Sequence, residues 1–470
     1  MLCAAVINAT GIAMQFEQLL SSATERPVRV ALIGTGEFGL SLISQARHIN
    51  GMDIVVAVDP DLNRVASSLT AIEVGHRHCQ NRQQALTAIE AGELALLGST
   101  DDVFDLPVEM IVEATGSPEA GARHALRAIE AGIGVTMVSK EAECLVGPIL
   151  AHKARQAGVP YTLVEGDQPA LLISLISRAR ALGLPVICVG KSSEYDFVFN
   201  PADGTTTWTT ESTVSPQLAE HWSLGDTVQE TVYARSQALS ELPQRTVPDY
   251  CEMQLVSNAT GILPDRADFH APMTRAAELP SIYIPQSDGG LLQSTPSIDV
   301  FNCLRRPDEA SFAGGVFVVV EWADTTSGAL FRGKGIPTSP DGKFGLIYNP
   351  SHLLGVEAPM SIMAAARLGN VSVDEGYRPI VDLTARAATD LAAGRVLDIV
   401  GTRHAIPDLE PLLTPAQPVT DTTPLPYYMA VSAQLGRPVK AGEFITRGHL
   451  ISPLPASLSA LRAEQDALFS

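Results

Sequence analysis

"VRVALIGTGEFG" (28–39) is the stretch on which the fold turns. Its first half, starting just after Pro27, is a short β-branched run that reads as a buried parallel strand. From Glu37 to Ile49 the apolar residues Phe38, Leu40, Leu42, Ile43 and Ala46 recur at helical spacing. "MDIVVAVDPD" (52–61) then reads as a second strand running to Asp59, twenty residues beyond Gly39. Strand, glycine-rich turn, helix, strand and distal acid together make the dinucleotide-binding fingerprint.

Each position in the turn has a physical task. Gly34 permits the tight exit from the strand, Gly36 lets the backbone approach a pyrophosphate, and Gly39 lets helix and sheet pack closely. Thr35, Glu37 and Phe38 complete the loop, whose helix N-terminus offers free N–H groups and partial positive charge to phosphates. Asp59 is placed to accept hydrogen bonds from ribose hydroxyls, which favours NAD over NADP; Arg64, five residues on, keeps NADP open.

Working outward, "PVEMIVEATGSPEAG" (107–121) reads as another buried strand and turn, and "ARHALRAIEAG" as a helix ending at Gly132. "GVTMVSKEAE" (134–143) reads as the next strand, with Ser139 and Lys140 at its C-terminal end. Ligands of open α/β sheets lie at such strand ends, so Ala114, Thr115, Gly116, Ser139 and Lys140 belong beside the nicotinamide half. Farther on, a helix carrying Leu171, Leu172, Leu175 and Ile176 precedes the strand "PVICVGK", closed by Lys191. A lysine at that position can donate to a developing oxyanion or exchange a proton.

The bulk composition sets limits. The 470 residues call for two or three domains. Hydrophobic residues make up 46% and charged residues 18%, a globular profile, and the net charge of −20 leaves no basic surface for nucleic acid. The six cysteines form no C-x-x-C and read as reduced thiols of a cytoplasmic protein. No apolar run reaches the length of a membrane span, and "MLCAAVINATG" (1–11), interrupted by Asn8, lacks the early positive charge of a secretory leader. "GHRHCQ" (75–80) holds His76, His78 and Cys79; read as the tail of a helix, it puts the two histidines on different faces and argues against a metal.

With these residues in view, "VEATGSPEAGARHALRAIEAGIGVTMVSKEAE" resembles the nucleotide domain of homoserine dehydrogenases, in which a lysine matching Lys140 lies beside nicotinamide and substrate. The chain is more similar to one offshoot of that superfamily, the 1-deoxy-D-xylulose 5-phosphate reductoisomerase-like proteins. The likeness rests on "EGDQP" (165–169), "VGK" (189–191), "SNATGILPD" (257–265), "IPQSDGG" (284–290), "GGVFVV" (314–319) and "YNPSHLLGVEAP" (348–359).

The resemblance implies an oxidoreductase in which Lys191 and Lys140 stabilise the substrate oxygen. His352 and Glu357, on a late segment that returns to the nucleotide domain, are its pocket candidates. Reductoisomerases use a divalent cation; Glu165, Asp167 and Asp288 could supply oxygen ligands, and the metal stays unassigned. The G-Y-x-E-P-D-P type run of homoserine dehydrogenases is absent, and the segment after Lys191 is poor in the basic residues that a phosphate needs.

At the C-terminal end, "LAAGRVL" (391–397) and "VKAGEFI" (439–445) share one pattern, with Gly394 and Gly442 at tight turns. The region resembles a SAF domain, a small β-clip module. "SLSALRAEQDALFS" (457–470) reads as a helix suited to docking across a subunit.

The expected fold is α/β: an N-terminal Rossmann domain (1–165), an α+β catalytic and dimerisation domain (166–375) and a β-rich SAF-like domain (376–470). The expected activity is NAD- or NADP-dependent oxidoreduction of a small polyhydroxy or keto compound, in a homodimer or higher homo-oligomer without membrane or nucleic-acid partners. Three versions stay open: a reductoisomerase-like enzyme, a dehydrogenase of other specificity, and a non-catalytic NAD sensor or scaffold.

Overall fold

The structure, a computed structural model, describes residues 26–401 and 404–469. Cys3 and the opening stretch read above as no leader lie outside the described residues.

The fingerprint folds as its pattern predicts: β1 (Val28–Ile33), α1 (Glu37–Ala46) and β2 (Met52–Val58). Gly39, Leu42, Ile43 and Ala46 form the buried stripe of α1. There follow α2 (Leu62–Ala71), β3 (His76–Cys79), α3 (Arg82–Glu90), β4 (Leu94–Leu97), β5 (Met110–Glu113), α4 (Pro118–Glu130), β6 (Gly134–Met137), α5 (Lys140–Ala157) and β7 (Tyr161–Leu163). The seven strands pair in parallel in the order β3-β4-β2-β1-β5-β6-β7. The order reverses at β1, so a crevice opens between the carboxyl ends of β1 and β5.

Two sequence readings change here. The run 134–143 is not one strand: β6 stops at Met137, and Lys140 is the first residue of the 18-residue α5. "GHRHCQ" is no helix tail but the edge strand β3, where period-2 alternation puts His76 and His78 on one face, ring centroids 6.1 Å apart.

The middle of the chain builds a second sheet. After α6 (Gln168–Ala181) come β8 (Val186–Ser192), β9 (Phe197–Asn200), β10 (Thr205–Trp208), β11 (Glu211–Val214), α7 (Val228–Ala238), α8 (Val247–Thr260), β12 (Met273–Thr274), α9 (Leu279–Ile282), β13 (Ser297–Arg305), β14 (Val316–Glu321), α10 (Thr325–Gly333) and β15 (Phe344–Asn349). Seven of these strands follow the order β11-β10-β9-β13-β8-β14-β15, with β12 against β13. β8 and β13 run parallel, whereas β14 is antiparallel to β8 and β15. The central strand β13 is buried through all but its last residue.

The late segment returns to the first sheet. Its short 3₁₀ turn, Leu354–Val356, sits on α1: an added Cβ at Gly355 would lie 2.4 Å from the Phe38 carbonyl oxygen. Pro359 stands in the first turn of α11 (Ala358–Leu368), which packs against β6, β7 and α1.

The C-terminal unit pairs β16 (Val381–Ala387) with β17 (Leu409–Pro415) and adds isolated bridges such as Leu391–Val439 and Arg386–Phe444. Gly394 and Gly442 both have φ of +87°, the backbone expected at their turns. α12 (Tyr427–Ala430) rests on α5. The last helix, α13 (Ala456–Phe469), packs on α4 and α5 of its own chain. Arg462, 1% exposed, clamps it to Asp382 of β16 at 2.6 and 2.9 Å, and Gln465 Oε1 accepts from Ile149 N–H at 3.2 Å.

Among the described residues no helix is long and apolar enough to cross a membrane. Cys79, Cys144, Cys188, Cys251 and Cys303 are buried free thiols.

Candidate active site

The crevice over β1, β2 and β5 is a groove of ≈ 640 Å³ lined by Gly34, Thr35, Gly36, Asp59, Ala114 and Thr115, among others. Gly34 has φ of +94°, and a Cβ there would lie 2.4 Å from the Ala114 carbonyl oxygen. A Cβ on Gly36 would meet nothing within 4 Å and would enter open space where the turn faces the groove. Gly39 lies against the Gly34 carbonyl instead, so it closes the helix onto the turn. Glu37 and Phe38 begin α1, with Phe38 packed beside the hydrophobic core. The geometry fits a dinucleotide: unblocked backbone at the pyrophosphate position, beneath the N-terminus of α1.

At the ribose end Asp59 is less available than its sequence position implies. Its Oδ2 accepts from Thr35 N–H (3.1 Å), Thr35 Oγ1 (2.7 Å) and Arg64 Nη2 (2.8 Å), and Oδ1 accepts from Asp61 N–H (2.9 Å). Burial raises the carboxyl's proton affinity, but these donors outweigh it and hold Asp59 below its ordinary range. Its side chain is 10% exposed, against 43% for Arg64, which also donates to the Thr35 carbonyl. A ligand therefore meets the guanidinium at least as much as the carboxylate, and Asp59 alone gives no basis for preferring NAD.

At the other end Gly116 N–H donates to Ser139 Oγ (2.8 Å), tying the turn after β5 to the start of α5. Thr115 Oγ1 donates to Glu113 Oε1 at 2.7 Å. Next to Ser139, Lys140 projects its ammonium onto Glu252 Oε1 of α8. Lys191, on β8, reaches Glu252 Oε2 and lies 2.9 Å from Asp249 Oδ1. Asp249 Oδ2 accepts from Ser193 Oγ (2.8 Å) and Thr246 Oγ1 (2.7 Å).

Two cations and two anions thus share one buried cluster. Burial alone would strip the lysines of their protons; Asp167 and Glu252 outweigh it at Lys140, and Asp249 and Glu252 at Lys191, so both are held above the usual lysine range. Glu252 is likewise raised by burial but pulled down to about 2 by the two lysines.

This arrangement changes the expected division of labour. The Lys191 side chain is 0% exposed, so it stands behind Glu252 and does not face a ligand. The Lys140 side chain keeps 23% of its surface and is the lysine that a ligand can touch. His352 packs where a Cβ on Gly314 would lie 2.4 Å from its Cε1 and 3.0 Å from Gln168 Nε2, and its buried Nδ1 has no hydrogen-bond partner. Gln168 Nε2 donates to Glu194 Oε2 at 3.0 Å. Glu357 Oε2 accepts from Leu353 N–H (2.9 Å), which ties the carboxylate to its own loop.

The proposed metal ligands do not converge. Asp288 pairs with Lys343 at 2.8 Å, Asp167 caps α6, and Glu165 is raised by burial and by neighbouring Glu357. Among the described residues no group of three or more His, Cys, Asp or Glu side chains is arranged to hold a metal ion.

Sequence reasoning missed Asp249, Glu252, Gln168 and Glu194. A signal existed for the first two: acids at i and i+3 within the apolar helix 247–260 must be buried, and buried carboxylates require cations.

Residues 166–358 match the family model described as the catalytic domain of oxidoreductase DRL. That segment contains β8, α8 and β13 to β15, and so supplies Lys191, Asp249, Glu252 and His352. No curated protein matches the chain. Solved structures that are similar in part include an oxidoreductase from Agrobacterium radiobacter in complex with NAD+, L-tartaric acid and magnesium (16% identity, 36% of this chain and 45% of that one, TM-score 0.26). Others are the WlbA dehydrogenase from Bordetella pertussis with NADH and UDP-GlcNAcA (18%, 38% and 49%, 0.25) and DOX-P reductoisomerase with NADPH, fosmidomycin and magnesium (18%, 36% and 45%, 0.26). The chain spans less than half the length of each of these three structures.

Proposed function

We propose that the protein is a nicotinamide-dependent oxidoreductase of α/β class, acting on the C–OH or C=O group of a small polyhydroxy or keto compound. The observation that carries this reading is the join of two features: an unobstructed dinucleotide turn at Gly34–Gly39, and a partly exposed, charged Lys140 on the strand-end side of the same sheet. The match of residues 166–358 to an oxidoreductase catalytic-domain model supports it.

The turn and the α1 N-terminus would hold the pyrophosphate, Asp59 with Arg64 the ribose, and Ala114 to Gly116 with Ser139 the nicotinamide side. NAD(P), when bound, supplies or accepts the hydride. Lys140 donates a hydrogen bond to the substrate oxygen and stabilises the charge that grows there. His352, with a free buried nitrogen, carries the proton between that oxygen and solvent. Removing water from this cleft strengthens each of these contacts.

The finer reading is a reductoisomerase-like conversion, in which 1-deoxy-D-xylulose 5-phosphate is isomerised and the resulting aldehyde reduced. Its support is the run of motifs along the chain. Self-association as a homodimer belongs to the same proposal and is supported by the exposed Leu353, Leu354 and Val356; so does a cytoplasmic location, supported by the buried free thiols.

The test is consumption of NADH or NADPH absorbance with a panel of keto and hydroxy compounds, including the deoxyxylulose phosphate, with and without Mg²⁺. Turnover with that phosphate supports the finer reading, and turnover with others alone leaves a dehydrogenase. Cofactor binding without any turnover favours a sensor, and light scattering decides the oligomer.

A further inference from the structure

We infer that Glu252 is the positioning residue of this site: it holds the Lys140 ammonium in place, and Lys191 braces it from its other carboxylate oxygen. The inference rests on the reading of Lys140 as the donor to the substrate oxygen.

The geometry leads there by elimination. Lys140 opens α5, where its flexible, partly exposed side chain would otherwise sample many rotamers beside Asp167. Its hydrogen-bond partner is Glu252 Oε1, from a helix 112 residues along the chain. A carboxylate as buried as Glu252, 0% exposed, is not sustained by one partly exposed lysine. Lys191 supplies the second charge from beneath, on the other oxygen. Asp249 then neutralises Lys191 and is itself fixed by Ser193 and Thr246.

The chain of contacts therefore runs from the interior outward, Asp249 to Lys191 to Glu252 to Lys140, and only its last member reaches solvent. Asp167 and Glu141 also face Lys140, and Glu194 faces Lys191, so further acids surround the two cations. Glu252 is the single link whose two oxygens touch both lysines. Its loss frees Lys140 in direction and removes the anion that is hydrogen-bonded to it, leaving Asp167 and Glu141 as the charges that still favour its proton.

The test reads the Lys140 amine itself. The full-length protein is treated with pyridoxal 5′-phosphate and borohydride across a pH series, and labelled peptides are located by mass spectrometry. In the wild type, Lys140 should label slowly at pH near 8 because its ammonium is held protonated. Glu252→Gln should raise that rate by at least about tenfold, since each unit of lost proton affinity gives tenfold more free amine. The labelling profile should shift to lower pH. Glu252→Asp, which keeps the charge, should return the rate most of the way. Lys191 should stay unlabelled throughout, and NADH affinity should stay within about twofold.

A Glu252→Gln protein that binds NADH normally and labels Lys140 with the wild-type pH profile overturns the inference. So does label at Lys191 in the wild type. Because labelling needs no substrate, the positioning role can fail while the oxidoreductase reading stands, and the absence of any turnover leaves the labelling result intact. Should Glu252→Gln fail to fold, Glu252→Asp alone decides: a profile shifted part of the way supports the inference, and an unshifted one overturns it.

Discussion

Arg64 lays its Nη2 2.8 Å from Asp59 Oδ2 and its Nη1 3.0 Å from the Thr35 carbonyl, so Asp59 carries its own counter-ion. On the proposed function, cofactor choice then depends on a pair of residues rather than on one. A 2′-phosphate can take the guanidinium from Asp59, and a 2′-hydroxyl can leave the pair undisturbed. Arg64→Ala should weaken NADPH binding by about 10- to 100-fold, the worth of a charged hydrogen bond, while NADH affinity changes by less than about threefold. Calorimetric titration of both cofactors checks this, and equal loss for both would place Arg64 outside the ribose subsite.

Gly36 faces open space in the groove. Gly36→Val should place a branched side chain at the pyrophosphate position, at a cost of about 1–3 kcal/mol of steric strain. NAD(H) affinity should fall by roughly 10- to 100-fold, with thermal unfolding of the free protein unchanged. Unaltered affinity would remove the turn from the binding site.

Lys191 is wholly buried between Asp249 and Glu252. Lys191→Met leaves two buried carboxylates with one cation, and breaking such a cluster costs about 3–5 kcal/mol. The denaturation midpoint should drop accordingly, whereas NADH affinity should hold. A variant as stable as the wild type would mean that the ammonium is not held in the cluster described here.

Glu143, on α5, is 1% exposed, and its carboxylate accepts from the hydroxyls of Tyr161 and Tyr377 (Tyr377 at 2.6 Å). Burial pushes it from 4.5 up to about 7, and the two phenols only partly oppose the rise. The folded state therefore favours the protonated acid. Its contribution is fully present below the unfolded value of 4.5 and is lost as pH rises through about 7. Glu143→Gln should abolish that loss. Denaturant titrations across this window should show the wild type weakening relative to the variant by on the order of 3 kcal/mol; parallel curves would show that Glu143 stays ionised in the fold.

Much of the first domain was legible in the sequence because its determinants are local. The β-branched run at 28–33, the glycines at 34, 36 and 39 and the helical spacing beyond them act through neighbouring backbone and through burial of one stripe. The paired turns at Gly394 and Gly442 were legible for the same reason: each needs a positive φ that glycine alone adopts without strain. The start of α5 was misread although Ser139 followed by Glu141 and Glu143 is a helix-start pattern, because the apolar run 135–138 was extended too far. What the sequence does not show is that Ser139 Oγ accepts from Gly116 N–H rather than capping α5.

Determined by the sequence alone, then, were the α/β class, the glycine turn and the two lysines, but not the acids Asp249 and Glu252 that hold them. Tertiary structure decided which of them do the work. Lys140 and Lys191 look alike as lysines near strand ends, and only the arrival of Glu252, 112 and 61 residues away, puts one at the surface and the other beneath it. Arg64, which the sequence left free to meet a 2′-phosphate, is seen as the ion-pair partner of Asp59 only in the folded chain. The last helix could have served a second subunit, yet Arg462 finds Asp382 and Gln465 finds Ile149 in its own chain. Apart from the local Asp59–Arg64 pair, these ion pairs form between segments far apart in sequence. The energy that selects among equivalent side chains is the cost of leaving a buried charge unpaired, and that cost does not exist until the chain has folded.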